Sequence, residues 1–337
     1  MDILIEKDDL LYKKIIEEYE LNIKYIKYVK ESSSLYIDTG KKVFLLENID
    51  DTINHVISTA GIYEHLNNKG FYNLLRIYKT KNGKYYMLYD KKIYILLDYE
   101  HHKLDLSKYP DKAIRLLGRF HKKAVGYLPP SGGKCKSNWG KWIEKYIKES
   151  KLLKKYMNEV LNKEEKTEFE DIFLSECHMY IDRMDKAIEI LKNNNYVQAI
   201  EDSMKRHQLC ICDFKQSNLY IKDKKIYIKS LDKCKYDIVE KDIADFLEEM
   251  LKASPEMKLE ELVRLISLYE KENKLSKNSV NIISAFIIYP SSYEKVCSRY
   301  YKGKDKWDDK EYISKLNEAR LFDNKKMELF ICLNYKK

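Results

Sequence analysis

The chain has 337 residues, of which 44% are hydrophobic and 35% charged, and this balance suits a globular protein with two domains that each bury a core. Its formal charge of +9 arises from lysines scattered along the chain, a distribution that argues against a nucleic-acid-binding protein. The N-terminus has no basic start or long apolar core, and no apolar run reaches about 18 residues. We therefore expect synthesis in the cytoplasm with neither a signal peptide nor a membrane span.

Cysteine and tyrosine are used in ways that bear on redox state and packing. The seven cysteines are odd in number and irregularly spaced, and Cys210 and Cys212 are too close for a usual zinc knuckle, so reduced and mostly buried thiols are expected. The 29 tyrosines suit either an exposed contact surface or strand and core positions. Packing in strands and the core is the favoured interpretation.

The first hundred residues predict a small antiparallel sheet with one inserted helix. A helix is expected after the N-cap residues Asp8 and Asp9. Apolar alternation then predicts strands, separated by polar turns, at 23–29, 35–37, 43–46, 74–79, 85–89 and 93–97. A helix capped by Asp51 or Thr52 and ended by Gly70 follows the third of these strands.

From Pro110 onward the pattern changes to that of helices. Apolar residues at helical spacing predict them at 111–125, 139–160, 165–192, 196–207, 240–252, 258–271, 277–288, 293–301 and 310–332. The predicted fold class is therefore α+β, with a sheet-containing lobe at 1–98, a helical lobe at 99–337 and a connector near 98–106. This order favours a bilobal, protein-kinase-like fold.

The segment 209–232 interrupts the helical region and carries the candidate chemistry. An apolar run ends at Asp213, and four residues later Asn218 opens a predicted hairpin with arms at 219–222 and 226–231 joined by a turn at 223–225. Asp232 follows the second arm. Kinase-type phosphotransferases use this layout to bring a base and metal ligands to one phosphate, so Asp213 is a candidate base and Asn218 and Asp232 are candidate Mg²⁺ ligands.

A purely structural interpretation of this segment stays open. Asp213 and Asn218 could form side-chain turns around a buried hairpin without any chemistry. Two residues count against intact catalysis: Ile211 stands where such loops often have histidine, and Ser230 stands where a metal-binding acid is expected.

With these residues in place, the chain resembles the spore coat proteins of the CotS type, relatives of aminoglycoside and choline phosphotransferases. The resemblance runs nearly end to end. It rests on segments at 63–66, 69–71, 80–86, 118–127, 139–142, 213–218, 232–237 and 241–244. It implies an aminoglycoside-phosphotransferase-like fold and a place in the coat of a bacterial endospore, with other coat proteins as partners, but not by itself a working enzyme.

The resemblance also implies that several catalytic residues of the phosphotransferases are replaced in this chain. The lysine that binds the nucleotide phosphates in such enzymes falls at or next to Glu47, unless Lys41 or Lys42 takes its place. Repulsion instead of attraction there would change the interaction energy by at most about 8 kcal/mol before screening, at roughly 4 Å and a dielectric near 20. Glu64 is either the helix glutamate that pairs with this lysine or a surface charge. Ser230 replaces the first acid of an Asp-x-Asp element, and strand alternation would keep Ser230 and Asp232 about 7 Å apart.

Two further residues have structural roles in this interpretation. Asp242 caps its helix or braces the catalytic loop, and His121 is a satisfied core histidine on an apolar helix face. The predicted function is a spore coat component that acts by protein interaction on a phosphotransferase scaffold with lost or very weak phosphoryl transfer. The alternative is an active kinase that uses ATP and Mg²⁺ with Asp213 as base; a third is a pseudoenzyme that binds another ligand.

Overall fold

The computed structural model describes residues 4–5, 9–28, 34–99, 104–303 and 307–335. The chain divides into two units. Unit 1 comprises Met1–Asp105, Lys122–Lys136 and Asp213–Lys235, and unit 2 comprises Leu106–His121, Ser137–Cys212 and Tyr236–Lys337. The predicted α+β class is confirmed: a mostly antiparallel sheet region comes first and helices dominate the rest.

The sheet of unit 1 has seven strands. Their bounds are β1 Leu4–Ile5, β2 Tyr25–Tyr28, β3 Leu35–Asp38, β4 Val43–Ile49, β5 Ile77–Tyr78, β6 Met87–Tyr89 and β7 Lys92–Asp98. The order is β1-β2-β3-β4-β7-β5, and β6 also pairs with β7. Every described pair is antiparallel, and Glu47 of β4 stands opposite Ile95 of β7.

Helices α1 (Leu10–Tyr19) and α2 (Ile53–Asn68) belong to two separate hydrophobic clusters of this unit. Leu11 and Ile15 of α1 share a cluster with Leu96 of β7, whereas Val56 of α2 packs with Ile93, Ile95 and Leu97 of β7. Successive side chains of a strand point to opposite faces, so β7 supplies both clusters. Of the two predicted caps of α2, Thr52 is the one that accepts the backbone N–H of residue 55.

The hairpin that follows Asn218 consists of β9 (Leu219–Lys222) and β10 (Lys225–Ile228). Asp223 and Lys224 both have positive φ, the geometry of a two-residue hairpin turn. The first arm matches its prediction, whereas the predicted three-residue turn and the extension of the second arm to residue 231 are wrong. The turn needs only two residues, and the ladder stops at Ile228.

The hairpin also explains why the units differ from the predicted lobes at 1–98 and 99–337. The backbone N–H of Ile228 donates to the carbonyl of Asn73, and that of Leu75 donates to the carbonyl of Ile228. These bonds join a hairpin from the second half of the chain to the sheet region near its start. Contacts therefore assign residues 213–235 to unit 1, a connection that no local pattern encodes.

The predicted helices are all present with ends shifted by a few residues. They are α3 Pro110–Lys123, α4 Lys141–Leu161, α5 Glu168–Asn193, α6 Tyr196–Lys205, α7 Val239–Ala253, α8 Leu259–Glu270, α9 Ser279–Ile288, α10 Ser291–Lys302 and α11 Asp309–Tyr335. The short strands β8 (Leu209–Cys210) and β11 (Lys235–Tyr236) flank the catalytic-type segment. Among the described helices, none has the length and apolarity needed to cross a bilayer.

A buried lysine ties three segments of unit 2 together. Lys326 of α11 is 1% exposed, and its Nζ donates to the carbonyl of Tyr289 at 2.7 Å and to Ser291 Oγ at 3.1 Å. The same ammonium lies 2.9 Å from Glu248 of α7 and 3.6 Å from Asp323. A buried charge is tolerated only when it is paired in this way, so α11 completes the charge balance of α7.

The tyrosines and cysteines agree with the favoured interpretation. Many tyrosine rings are buried, and two pairs stack closely: Tyr146 on Tyr289, with centroids 3.6 Å apart, and Tyr180 on Tyr293 at 3.7 Å. All seven cysteines are free thiols, and five of them are buried. Asp8, part of the polar turn between the predicted strands at 23–29 and 35–37, and part of the connector at 98–106 lie outside the described residues.

Candidate functional site

A buried carboxylate holds the backbone just before Asp213. Asp242, in the first turn of α7, accepts the backbone N–H of Ile211 at 2.6 Å and that of Cys212 at 3.0 Å. Cys212 has φ of 57°, a left-handed conformation that costs a residue with a side chain about 1 kcal/mol or more. The carboxylate therefore stabilises the strained turn that leads into Asp213, and the prediction that Asp242 braces the loop is confirmed.

His121 completes this brace. It is fully buried, its Nε2 lies 3.0 Å from Asp242 Oδ2, and its Nδ1 lies 2.7 Å from the hydroxyl of Tyr269. The ligand atoms of His121, Cys210 and Asp242 are within 4.8 Å of one another, a spacing suitable for a metal. Both ring nitrogens and both carboxylate oxygens already take part in hydrogen bonds, so this cluster is a satisfied core network, as predicted for His121.

Asn218 joins the loop to the hairpin through its whole amide. Its Nδ2 donates to the carbonyls of Asp213 at 3.1 Å and of Ser230 at 3.0 Å, and its Oδ1 accepts the N–H of Ser230 at 2.9 Å. An amide has two donors and an acceptor with two lone pairs, so only one lone pair of Oδ1 remains for a metal. The structural interpretation of Asn218 accounts for every one of these contacts.

Asp213 lies beside Asn218 with a partner of its own. Its Oδ1 is 2.8 Å from Lys215 Nζ, and its side chain is 24% exposed. A general base must reach the proton of an acceptor hydroxyl, and a partly exposed carboxylate meets that condition. The ion pair with Lys215 leaves the carboxylate partly exposed, so the pair is compatible with the predicted role without requiring it.

Ser230, Asp232 and Lys233 form a short turn. The hydroxyl of Ser230 donates to Asp232 Oδ1 at 2.9 Å, so the prediction that strand alternation keeps these two side chains apart is wrong. The strand ends before Ser230, and alternation does not apply to a turn. Asp232 Oδ2 lies 2.9 Å from Lys233 Nζ, and this bond raises the pKa of Lys233.

Lys233 is a site residue that the sequence patterns did not point to. After Asp232, the charges of Asp213 and Asp51 are the next to raise its pKa, so Lys233 is a second cation, beside Lys215, that faces the carboxylates of this site. The sequence feature that could have identified Lys233 was its position directly after Asp232, the last candidate metal ligand. No motif rule assigns a role to that position.

Glu47 lies on β4, the strand that precedes α2, as the predicted lysine position requires. Its Oε2 is buried and has no hydrogen-bond partner among the described residues. Burial, followed by the negative charge of Asp232, raises the pKa of Glu47 to about 7, and Lys233 acts in the opposite direction. The position therefore holds a carboxyl group that is close enough to Asp232 for the two charges to interact.

Lys42, one of the two alternatives to Glu47, has partners of its own. Lys42 Nζ lies 2.5 Å from Asp98 Oδ1 and 2.6 Å from the hydroxyl of Tyr78, and Lys41 is exposed. Glu64 points to Lys79, at 3.0 Å, and to the hydroxyl of Tyr85. These contacts match the surface-charge alternative for Glu64.

The space beside Asp232 within unit 1 is small and apolar. A cavity of about 10 Å³ is lined by Ile49, Val56, Thr59, Ile77, Ile95 and Asp232. This volume holds at most about one water molecule. The α2 residues that line it are a valine and a threonine, so no carboxylate of α2 reaches this point among the described residues.

The described residues do not form a ready Mg²⁺ site. Mg²⁺ in nucleotide enzymes is held by one or two carboxylates together with phosphate oxygens and waters. Here Asp232 is bonded to Ser230 and Lys233, and the amide of Asn218 is used by the backbone. A hydroxyl at position 230 is a weaker ligand than the expected carboxylate, so the donor set does not fit the metal well.

Comparison with known proteins identifies relatives along nearly the whole chain. The family model described as "Spore coat putative kinase YutH" matches residues 12–332. Spore coat protein S of Bacillus subtilis (strain 168) is 22% identical over 324 residues, which cover 91% of this chain and 89% of that protein.

Solved structures show the same fold at low sequence identity. An aminoglycoside phosphotransferase from Alicyclobacillus acidocaldarius superposes with a TM-score of 0.84 at 13% identity, covering 98% of this chain and 97% of that one. A spectinomycin phosphotransferase, solved with ADP and its antibiotic, has a TM-score of 0.68 at 13% identity and covers 94% and 97%. The aminoglycoside-phosphotransferase-like, kinase-like fold is thereby confirmed, as is the resemblance to spore coat proteins.

Proposed function

Because the chain belongs to the YutH family of spore coat proteins with a kinase-like fold, we propose that it acts in spore coat assembly through protein contacts, with phosphoryl transfer lost or very weak. Glu47 is the observation that carries this proposal. In this proposal its carboxyl group takes the place of the phosphate-binding lysine, and it lies close enough to Asp232 for the two charges to interact. A second negative charge there repels nucleotide phosphates that a lysine would attract.

The retained motif residues do not require catalysis. Asn218 is held by three hydrogen bonds that connect the loop to the hairpin, and the backbone before Asp213 is fixed by Asp242. Losing either the Asn218 or the Asp242 side chain would leave buried backbone groups unpaired. Selection for folding alone therefore suffices to keep them.

Lys233 favours a second candidate function, an active kinase. Its ammonium is bonded to Asp232 and is influenced by Asp213 and Asp51, so it could attract a phosphate in place of the missing strand lysine. In that case Asp213 would take the proton of the acceptor hydroxyl, and Asp232 and Asn218 would hold Mg²⁺. The ion pair between Lys233 and Asp232 would then have to break, because Asp232 would bind the metal and Lys233 would bind the phosphate.

Calorimetric titration with ATP separates the two candidates. We expect no saturable binding up to about 1 mM ATP, a limit that corresponds to a binding free energy of about −4 kcal/mol, with Mg²⁺, with Mn²⁺ or without metal. Micromolar, metal-dependent binding that Asp232→Ala abolishes and Lys233→Ala weakens at least tenfold would overturn the proposed loss of nucleotide chemistry.

The coat role is tested in sporulating cells. A fluorescent fusion of the chain should localise to the coat of the developing spore, and Asp213→Ala should localise equally well because the side chain has no required chemical role. A fusion that remains in the cytosol throughout sporulation would contradict the coat role, whereas loss of coat localisation only in Asp213→Ala would support the kinase.

A further inference from the structure

Unit 2 contains a groove between α10 and α11. We call it the α10–α11 groove. Its volume is about 360 Å³, and its charged and aromatic lining consists mainly of Lys252, Lys295, Arg299, Trp307, Lys315 and Phe322. That volume is near the lower end for ligand-binding clefts and accommodates one or two large side chains.

The charge of the groove is strongly unbalanced. Four cationic side chains line it together with a single carboxylate, that of Glu318, which pairs with Lys315 at 2.9 Å. Lys252 and Lys295 are exposed and form no ion pair with any residue that the structure describes. The groove therefore has an excess of positive charge that an anionic ligand would balance.

Aromatic rings lie directly beside these cations. Lys252 Nζ is 4.7 Å from the centre of the Phe322 ring, and the guanidinium carbon of Arg299 is 5.7 Å from that of Trp307. Both rings are only partly buried. The groove thus offers apolar surface and positive charge within one binding site, a combination found where proteins recognise acidic segments with an apolar anchor.

The spacing of the cations suits an extended or helical acidic segment. Lys295 and Arg299 are four residues apart on α10, so they lie on the same helix face about 6 Å apart. Lys252 is in the last turn of α7, ten residues and about 15 Å along that helix from Asp242. The groove is therefore separate from the brace of the catalytic-type loop.

We propose that the α10–α11 groove binds an acidic segment of a partner protein, with a large apolar or aromatic side chain inserted between Trp307 and Phe322. This inference rests on the proposed function insofar as the partner is a coat protein. The carboxylates of the segment pair with Lys252 and Lys295, and its apolar side chain fills the space between the rings.

Fluorescence anisotropy with labelled peptides tests this surface. The probe is a peptide of aspartate and glutamate around one phenylalanine, and its matched controls carry serine in place of phenylalanine or lysine in place of the acids. We expect the acidic phenylalanine peptide to bind at least about tenfold more tightly than either control at low salt and to weaken as salt rises. Its binding should also change Trp307 fluorescence, a change that Trp307→Phe removes.

Charge-reversal variants assign the binding to the groove. Lys295→Glu and Arg299→Glu should each weaken the peptide by about tenfold or more, whereas Lys151→Glu, an equal charge change at an exposed position of α4, should not. Circular dichroism of each variant checks that it is folded. Equal weakening by Lys151→Glu, no binding up to about 1 mM peptide, or tighter binding of a single-stranded oligonucleotide than of the peptide would each overturn the proposal.

Failure of the groove proposal can be distinguished from failure of the proposed coat function. Failure of the peptide to bind removes this surface but leaves coat localisation and the ATP titration unaffected. Localisation that fails while the peptide still binds removes the coat role and leaves the groove as a binding site for acidic segments.

Discussion

The burial of Glu47 predicts a measurable dependence of stability on pH. Its pKa is raised from an ordinary value of 4.5 to about 7, so between these values the folded chain holds a proton that the unfolded chain has released. The stability that depends on this group is therefore present at low pH and is lost as pH rises through this range. Glu47→Gln should raise the free energy of unfolding near pH 8 by up to about 3 kcal/mol and change it little near pH 4.

Urea denaturation at the two pH values measures this effect. Glu64→Gln is the matched control, because it removes the same charge from an exposed pair with Lys79 and should change stability by less than about 1 kcal/mol at either pH. An equal gain from Glu47→Gln at both pH values would mean that the carboxyl is not desolvated.

The location of Glu47 on the strand before α2 could be predicted from the sequence, but the surroundings of its side chain could not. Counting from the family motif placed Glu47 on the strand before α2, where the structure has it. The raised pKa depends on burial in the sheet, opposite Ile95, and on Asp232 in a turn that comes much later in the chain. Neither neighbour is specified by local periodicity.

The loop and hairpin after Asp213 form one element held by Asn218. Asn218→Ala would leave the N–H of Ser230 and the carbonyls of Asp213 and Ser230 without their partner. We expect a loss of about 2–4 kcal/mol in the free energy of unfolding. Asn218→Asp retains the acceptor but sets a buried carboxylate oxygen against the carbonyls of Asp213 and Ser230, so it should destabilise at least as much as Asn218→Ala.

Thermal unfolding followed by circular dichroism compares these variants with Asn68→Ala at the exposed end of α2. The control should stay within about 0.5 kcal/mol of the wild type. If Asn218→Ala were equally mild, the amide would be kept for some purpose other than holding the element together.

Element boundaries show where sequence patterns stop being informative. Periodicity located every helix from α3 to α11 and the first hairpin arm, because those signals are local. The second arm was predicted too long since residues 229–231 continue an alternating pattern. The hydrogen bond between Ser230 and Asp232 turns the chain instead, and a side-chain bond of this kind leaves no periodic signal.

The packing of tyrosine across the whole molecule predicts an unusual titration. Burial raises the pKa of Tyr127 and Tyr180 to about 12, and it also raises the pKa of Tyr146, Tyr289 and Tyr293 above the ordinary value. Tyrosinate absorbance of the folded chain should therefore account for only part of the 29 tyrosines by about pH 11, and the rest should ionise when denaturant is added.

Circular dichroism at the same pH confirms that the chain is still folded during the titration. Ionisation of all tyrosines near pH 10 in the folded state would contradict the packed arrangement. The sequence predicted this use of tyrosine in general terms, but the stacked pairs join helices far apart in the chain and could not be assigned from it.

The buried Lys326 has a consequence for how the chain is made. Glu248 of α7 is synthesised well before Lys326 of α11, the cation that neutralises it. At about 5–20 residues per second, α7 exists for roughly 4–16 s before that lysine is even translated. During this interval the Glu248 carboxylate lacks this cation, so burying it in the charged form costs more than in the complete chain. We therefore expect the packing of α7 against α11 to be completed last, and a chaperone that binds the nascent chain would meet α7 before its contacts with α11 exist.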